Sequence, residues 1–205
     1  MKRKIIFATT NEGKLKEIKL ILQDLNYDII SMKDAGLDID IVEDGETFEE
    51  NAIIKAKTIM ELTGEMVLAD DSGLEVDALN KEPGIYSARY LGTDTPYSVK
   101  NQYILDKLKD KVHDERSARF VCAIALAYPS GEIITRRATI EGFIAEKEAG
   151  TNGFGYDPIF LVPEYNSTSS ELTLEQKNKI SHRGLALEAI KEVIWSRENN
   201  ENTNC

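Results

Sequence analysis

Apolar residues recur along this chain at two spacings, and the spacing separates predicted strands from predicted helices. Four short runs rich in apolar residues are typical of strands, and they cover residues 5–8, 27–32, 66–69 and 159–162. Between the first two runs the apolar residues recur at steps of three and four, as on one face of a helix, at Leu15, Ile18, Leu22 and Leu25. The chain therefore begins with a predicted strand, a polar junction and a predicted helix.

Further helices are predicted from signals at their ends. Residues 47–50 read Thr-Phe-Glu-Glu, a capping box, and predict a helix that ends near Gly64. The sequence Asp-Thr-Pro at residues 94–96 predicts another helix start, because proline is tolerated in a first turn. Helical spacing over residues 187–194 predicts a last helix, for which Ser181 is a suitable N-cap.

A long hairpin completes the predicted fold. Residues 117–128 and 132–145 flank a Pro-Ser-Gly turn signal. Strands that alternate with helices, together with this hairpin, predict an α/β domain with a mixed, strongly twisted sheet. We expect one domain over residues 1–197, followed by a polar, disordered tail at residues 198–205.

Composition and charge narrow the functional classes. The formal charge of −11 argues against nonspecific binding to nucleic acid or to an anionic membrane. The two cysteines lie far apart, so neither a disulfide framework nor a thiolate metal site is expected. No apolar run reaches the roughly 18 to 20 residues that a membrane span needs, and the first apolar run is very short. The sequence predicts a cytoplasmic protein.

The first candidate site lies at the junction of the first strand and the first helix. Backbone N–H groups at a helix start attract anions, and the helix dipole adds to the attraction, so this junction suits a phosphate. Its hydroxyl, amide and ammonium groups belong to threonine, asparagine and lysine side chains. The stretch reads Thr9, Thr10, Asn11, Glu12, Gly13 and Lys14. The stretch is not a Walker A loop. An ordinary N-cap cluster with a solvated lysine is the alternative.

Two adjacent acids, Asp70 and Asp71, follow the apolar part of the predicted third strand. A divalent cation would relieve their repulsion, and Mg²⁺ prefers one or two carboxylates together with waters and phosphate oxygens. A simple turn is the alternative. The acidic loop at residues 43–46 offers a further candidate ligand, and one of Lys55 and Lys57 on the second predicted helix could contact a phosphate. Each of these features is also compatible with a solvated surface.

Two later stretches contain candidate ligand contacts. Residues 152–158 combine glycines, which let the backbone approach a flat ligand, with the stacking face of Phe154 and the polar edges of Tyr156 and Asp157. A hairpin or bulge with buried aromatic rings is the alternative. In residues 177–184, a histidine and an arginine could contact a polar ligand edge, whereas local hydrogen bonding is the alternative. No Ser-His-Asp or Cys-His arrangement is present, so covalent catalysis is not expected.

Taken together and in this order, these stretches resemble the inosine triphosphate pyrophosphatase family, the RdgB-like enzymes that hydrolyse noncanonical purine nucleoside triphosphates. The similarity runs from Lys4 to about Ile194. Its motifs are ATTNEGK (8–14), GETFEENAIIKA (45–56), ADDSGLEVDAL (69–79), PGIYSARY (83–90), GFGYDPIF (153–160) and KNKISHRG (177–184). The resemblance implies an elongated, two-lobed fold around a long central sheet, a nucleotide cleft between the lobes, Mg²⁺ dependence and a homodimer.

The resemblance also implies roles for individual residues. Residues 9–14 and Lys55 would contact the triphosphate, Asp71 would act as general base and metal ligand, and Glu43 and Asp70 would help to hold Mg²⁺. The remaining substrate contacts would be Ser72, Phe154, Gly155, Tyr156, Asp157, Lys177, His182 and Arg183. Water would attack the α-phosphorus and release the monophosphate and pyrophosphate.

Base selection follows from donors and acceptors. Hypoxanthine and xanthine have an N1–H donor and an O6 acceptor, which Asp157 and one of Lys177, His182 and Arg183 could match. Adenine has the opposite pattern, so it would leave buried polar groups unpaired. The alternatives to this function are a Maf-like pyrophosphatase with another base preference and a noncatalytic nucleotide-binding protein.

Overall fold

A computed structural model describes residues 3–203 and gives an α/β fold with one seven-stranded sheet. The strands are β1 (Arg3–Phe7), β2 (Tyr27–Ser31), β3 (Met66–Val76), β4 (Ser117–Ala127), β5 (Ile133–Ile144), β6 (Phe160–Val162) and β7 (Ser167–Thr168). The α-helices are α1 (Glu12–Ile21), α2 (Phe48–Thr63), α3 (Tyr97–Lys107), α4 (Leu174–Ile180) and α5 (His182–Thr203). Short 3-10 helices cover Asp77–Leu79, Gly84–Arg89, His113–Arg116, Asp157–Ile159, Pro163–Tyr165 and Ser169–Glu171.

The sheet is mixed, as the sequence predicted. Its strand order is β2-β1-β3-β4-β5-β6-β7. β1 pairs in parallel with both β2 and β3, whereas β6 pairs antiparallel with β5 and β7. β4 and β5 are neighbours joined by a turn in which the Tyr128 N–H donates to the Glu132 carbonyl, so the predicted hairpin is confirmed.

The chain divides into two compact units with separate apolar cores. The first unit contains residues 1–71, 122–138 and 183–205, and the second contains residues 72–121 and 139–182. In the first core, the predicted face of α1 is confirmed by the buried Ile18 and Leu22, which pack with strand residues such as Phe7. The second core includes Leu74, Ile104, Phe120 and Phe160.

The predicted ends of α2 are also confirmed. The Thr47 hydroxyl accepts a hydrogen bond from the Glu50 N–H at 3.1 Å. Gly64 ends the helix in the left-handed conformation, with φ of 66°, which glycine adopts without steric cost. This helix begins in the first unit directly after the acidic loop.

The third strand is longer than the sequence predicted. Residues 66–69 were expected to form the strand, with the two acids at its end and a Gly-Leu loop beyond. That expectation is wrong, because β3 continues through Asp70 and Asp71 to Val76. The burial of Leu74 and Val76 stabilises the extension, while charged partners compensate the two buried carboxylates.

The C-terminal part contains elements that the apolar spacing did not predict. The strand β7 and the helix α4 are additional, and Ser181 lies between α4 and α5. The polar tail predicted at residues 198–205 lies partly in α5, which extends to Thr203, and partly outside the described residues. Within residues 3–203, no helix combines the length and apolar character needed to cross a membrane.

Candidate active site

The junction of β1 and α1 forms an N-capped helix start in the first unit. Asn11 is the N-cap, and its Oδ1 accepts from the N–H groups of Gly13 at 2.9 Å and Lys14 at 3.2 Å. The Thr9 hydroxyl accepts from the Asn11 N–H. Thr10, Asn11 and Glu12 are exposed, so the loop presents polar groups to solvent beside the positive end of the helix dipole.

Asp70 lies beside this junction and is held by two cations. The Lys14 Nζ is 3.0 and 3.2 Å from the two Asp70 carboxylate oxygens. The Arg183 guanidinium donates to Asp70 Oδ2 at 3.3 Å from both Nε and Nη2. Only 1% of Asp70 is exposed. Burial by itself would raise the pKa of Asp70, but the charges of Lys14, Arg183 and Lys55 together hold it well below its ordinary value.

Glu17 completes this charge network, although the sequence analysis did not select it. Its Oε2 accepts from Arg183 Nη1 at 2.5 Å, and both side chains are almost completely buried. A buried guanidinium between two carboxylates is compensated on both sides. The available sequence signal was position, since Glu17 stands three residues after Lys14 on α1 and therefore shares a helix face with it.

Asp71 is held by a different set of side chains. The Asn51 amide donates to Asp71 Oδ2 at 3.1 Å, and Lys55 Nζ is 3.7 Å from Asp71 Oδ1. The same ammonium is 3.1 Å from Glu43 Oε1. Asn51 Oδ1 also accepts from the Gly45 N–H, so this buried amide connects the acidic loop to Asp71. Asn51 was missed because a single polar residue on a helix face gives no functional signal.

The pKa values of the two adjacent acids are shifted in opposite directions. Burial raises the pKa of Asp71 above its ordinary value, Lys55 offsets part of that effect, and Glu43 adds to it. The pKa of Lys55 would be lowered by burial, but Asp71, Asp70 and Glu43 raise it above the ordinary value of lysine. Lys55 therefore remains charged, and Asp71 is the more basic of the two carboxylates.

The residues around Lys55 fit a magnesium ion that shares its ligands with a substrate. Asp71 and Glu43 provide two carboxylates that contact the same ammonium group, that of Lys55. Mg²⁺ is commonly bound by one or two carboxylates together with waters and substrate phosphate oxygens. Within residues 3–203 no group of three or more His, Cys, Asp or Glu side chains forms a metal site by itself. Two carboxylates are fewer ligands than a closed protein cage provides, so a Mg²⁺ ion held here would take its other ligands from waters and a substrate.

A second polar cluster lies in the second unit around Asp157. This carboxylate is 3% exposed and accepts three hydrogen bonds. The Phe154 N–H and Lys177 Nζ donate to Oδ2, each at 2.8 Å, and the Ser169 hydroxyl donates to Oδ1 at 2.9 Å. A Cβ atom at Gly153 would lie 2.2 Å from Asp157 Oδ2, so only glycine permits this close approach.

Aromatic rings surround this cluster. Lys177 Nζ lies 4.8 Å from the centre of the Phe154 ring, and the His182 ring stacks on Phe120 with centroids 4.9 Å apart. The Tyr156 hydroxyl donates to the Ser87 carbonyl at 2.9 Å, and burial raises the pKa of that hydroxyl far above its ordinary value. Tyr156 is therefore a packing residue in the geometry of this structure.

The predicted site residues fall into two groups, one in each unit. The first unit contains residues 9–14, Glu43, Lys55, Asp71 and Arg183. Asp70 contacts both Lys14 and Arg183. Lys55 contacts both Glu43 and Asp71. The second unit brings together Phe154, Asp157 and Lys177. It also contains Ser72 in β3, Gly155 and Tyr156 after Phe154, and His182 beside Phe120.

Comparison with known proteins identifies the family. The model of the Ham1 family matches residues 5–193. A dITP/XTP pyrophosphatase of Exiguobacterium sibiricum is 50% identical over 191 residues, which are 93% of this chain and 96% of that protein. A dITP/XTP pyrophosphatase of Clostridium perfringens is 50% identical over 198 residues, or 94% of this chain and 97% of that protein.

Solved structures give the same result for the fold. The Ham1 protein of Staphylococcus aureus is 42% identical, has a TM-score of 0.85, and the match covers 95% of this chain and 100% of that one. A HAM1 protein of Coxiella burnetii is 42% identical with a TM-score of 0.86, and the match covers 95% and 99% of the two chains. The fold is shared with these proteins over nearly the whole chain, and this chain belongs to the Ham1 family.

Proposed function

We propose that this protein hydrolyses noncanonical purine nucleoside triphosphates, namely dITP, ITP and XTP, to the monophosphate and pyrophosphate. Support comes from relatives of 50% identity that are named dITP/XTP pyrophosphatases. The observation that carries the proposal is the pair of buried acids, Asp70 and Asp71, each in contact with a lysine in the first unit. Acids and lysines together suit a reaction in which a metal and cations neutralise a triphosphate.

Asp71 is the proposed general base. A carboxylate takes a proton from water more effectively when its pKa lies closer to neutrality, and burial raises the pKa of Asp71 in that direction. Asn51 donates to one of its oxygens and thereby fixes its orientation. Asp71 would accept a proton from the water that attacks the α-phosphorus, while Lys14 and Lys55 stabilise negative charge on the phosphoryl oxygens.

Asp71 and Glu43 are the proposed ligands of Mg²⁺. When bound, Mg²⁺ supplies further charge neutralisation at the phosphoryl oxygens. In the structure, Lys55 contacts both carboxylates and keeps their mutual repulsion low. Asp70 has another proposed role, since it holds Lys14 next to the α1 N-terminus, where residues 9–14 would contact the phosphates.

The Asp157 cluster is the proposed site of base recognition. Asp157 and Lys177 lie side by side as an acceptor and a donor, with Lys177 Nζ bonded to Asp157 Oδ2, and the Phe154 ring lies next to the lysine. This pair matches the N1–H donor and O6 acceptor of hypoxanthine and xanthine, whereas adenine has the reverse pattern. Of the three candidates for the O6 contact, we therefore propose Lys177. The contacts proposed for Ser72, Gly155, Tyr156, His182 and Arg183 are retained as predictions from the family resemblance.

A substrate panel tests this function. The protein is assayed with Mg²⁺ on ITP, XTP, dITP, GTP, ATP, dTTP and UTP, and the products are analysed for pyrophosphate and orthophosphate. We expect pyrophosphate from ITP, dITP and XTP, with much slower release from ATP. Release from dTTP or UTP but not ITP would favour a Maf-like pyrophosphatase. No turnover with retained binding of inosine nucleotides would favour a noncatalytic nucleotide-binding protein. A homodimer and a cytoplasmic location complete the proposal.

A further inference from the structure

We propose that Ser169 is a positioning residue for base selection, because its hydroxyl fixes the acceptor atom that Asp157 presents to the substrate. The inference rests on the proposed function, in which Asp157 accepts the N1–H of the base. It adds a residue outside the glycine-rich stretch and the Lys177–Gly184 stretch that the sequence motifs mark. Ser169 begins a 3-10 helix and is 5% exposed.

The hydrogen bonds to Asp157 distribute unequally over its two oxygens. A carboxylate has about four lone-pair sites, two on each oxygen. Oδ2 accepts from both the Phe154 N–H and Lys177 Nζ, so its sites are filled. Among residues 3–203, Oδ1 accepts from Ser169 alone. The acceptor site left for a ligand is therefore on Oδ1, the same oxygen that Ser169 holds.

The position of Ser169 is itself fixed by backbone contacts. The Thr168 and Ser170 hydroxyls both donate to the Ala149 carbonyl, at 2.8 and 2.6 Å, and the Asn152 N–H donates to the Ser170 carbonyl. A Cβ atom at Gly150 would lie 2.4 Å from the Ser170 carbonyl carbon, so the two segments approach as closely as glycine allows. Ser169 therefore holds Asp157 from a rigid support.

Loss of the Ser169 hydroxyl would change the acceptor pattern of Asp157. The terminal torsion of an aspartate has a broad energy minimum, so a carboxylate held through one oxygen can tilt about that oxygen. Oδ1 would also gain a second open acceptor site, to which the 6-amino group of adenine could donate a hydrogen bond. Both changes reduce the difference between inosine and adenine nucleotides, while the contacts to Oδ2 and the stacking face remain.

Ser170 provides a matched control for this inference. It is the neighbouring residue, it is completely buried, and its hydroxyl also donates one hydrogen bond. That bond goes to a backbone carbonyl instead of to Asp157. Ser169→Ala and Ser170→Ala therefore remove the same group from two neighbouring buried positions, but only the first acts on the carboxylate.

The experiment compares kcat/KM for ITP and ATP in the wild-type protein, Ser169→Ala, Ser170→Ala and Ser169→Thr. We expect the ratio of kcat/KM for ITP to that for ATP to fall about tenfold in Ser169→Ala, which corresponds to the loss of one buried hydrogen bond. The same ratio should change less than about twofold in Ser170→Ala. Ser169→Thr keeps the hydroxyl and should retain the wild-type ratio. A cavity of about 10 Å³, also lined by Phe120, lies beside Ser169.

Binding affinities for IMP and AMP provide a second measurement that does not depend on turnover. The IMP/AMP affinity ratio should fall in Ser169→Ala and stay constant in Ser170→Ala. Equal losses for both bases, or equal ratios in the two alanine variants, would overturn the role of Ser169. Asp157→Asn is measured in parallel. If it changes the ratio while Ser169→Ala does not, only the present inference fails. If wild type hydrolyses neither ITP, dITP nor XTP, the proposed function fails, and the IMP/AMP ratios still decide the role of Ser169.

Discussion

The buried acids of the two units are held in opposite ways. In the first unit, Asp71 contacts the flexible side chain of Lys55 at 3.7 Å, and the same lysine also contacts Glu43. In the second unit, Asp157 accepts a backbone N–H, a hydroxyl and an ammonium group, all within 2.9 Å. The first arrangement relies mainly on charged side chains that can exchange partners, although the Asn51 amide also donates to Asp71, whereas the second holds one carboxylate by hydrogen bonds to both of its oxygens.

This difference corresponds to two different requirements. Charge must redistribute when a triphosphate and a metal bind and react, so long side chains with several partners suit the first unit. Selection between two purines depends on which atom accepts a hydrogen bond, so a rigidly oriented carboxylate suits the second. Substitutions in the first unit should therefore change the rate for every substrate, and substitutions in the second should change the ratio between substrates.

The largest effect is expected from Asp71→Asn. It removes the proposed base and a metal ligand but preserves volume, so kcat for ITP should fall by about 10³-fold or more. Circular dichroism and the thermal midpoint should show that the fold is retained. Asp44→Asn is the control, because Asp44 is an exposed acid in the same acidic loop as Glu43. Turnover close to that of the control would contradict the role of Asp71.

Lys14→Ala tests the lysine that contacts Asp70, the other acid of the pair. Loss of a charge-assisted contact of about 2 to 3 kcal/mol should lower kcat/KM by about 30- to 150-fold. KM should rise and kcat should fall, because a phosphate contact operates in both the ground state and the transition state. The ITP/ATP ratio should remain constant. Steady-state kinetics on both nucleotides measure this, and unchanged kinetics would return Lys14 to the role of a helix-end surface residue.

Asp157→Asn should have a smaller effect on rate but a specific effect on selection. An amide can present either a donor or an acceptor to N1, so the ITP/ATP ratio of kcat/KM should fall about tenfold or more. Activity on ITP should decrease, while activity on ATP decreases less or increases. The measurement is made at saturating Mg²⁺ on protein of verified fold. An equal decrease for both nucleotides would exclude recognition of the N1 edge by Asp157.

The smallest effect is expected in the pH dependence of stability, where the two adjacent acids should act with opposite sign. The folded-state pKa of Asp70 lies below the ordinary 3.8, so its stabilising contribution is complete above that pH and is lost as the pH falls further. The folded-state pKa of Asp71 lies above 3.8, so its destabilising charge is relieved as the pH falls toward that value.

Denaturant unfolding in metal-free buffer from pH 6 to pH 2.5 measures both contributions. Below about pH 4, which is close to the ordinary pKa of aspartate, the free energy of unfolding should fall less steeply with pH in Asp70→Asn than in the wild type. Asp71→Asn should steepen the decline just above that pH, because it removes the group whose protonation favours the folded state. Parallel curves for the two variants would show that the acids do not differ in this way.

The local features of the fold were predictable because they depend on neighbouring residues. The spacing of apolar residues on α1, the Thr47 cap and Gly64 at the end of α2 each report a local conformational preference. The glycine-rich stretch before Asp157 was predicted to let the backbone approach a flat ligand, and this remains a prediction. The length of β3 was not predictable, because two acids inside a strand are tolerated only where cations from other segments face them.

The sequence by itself determined most of the helices and strands, the candidate residue types and the family. Tertiary structure decided which charges meet. Parallel pairing of β1 with β3 places Phe7 opposite Leu68, which carries the following loop and Lys14 to Asp70. Arg183 reaches the same acid from 113 positions away in the sequence, and Ser169 reaches Asp157 across a separate turn. The physical reason is that periodicity records whether a position is buried, whereas the partner of a buried charge depends on the order of the strands and the packing of distant segments.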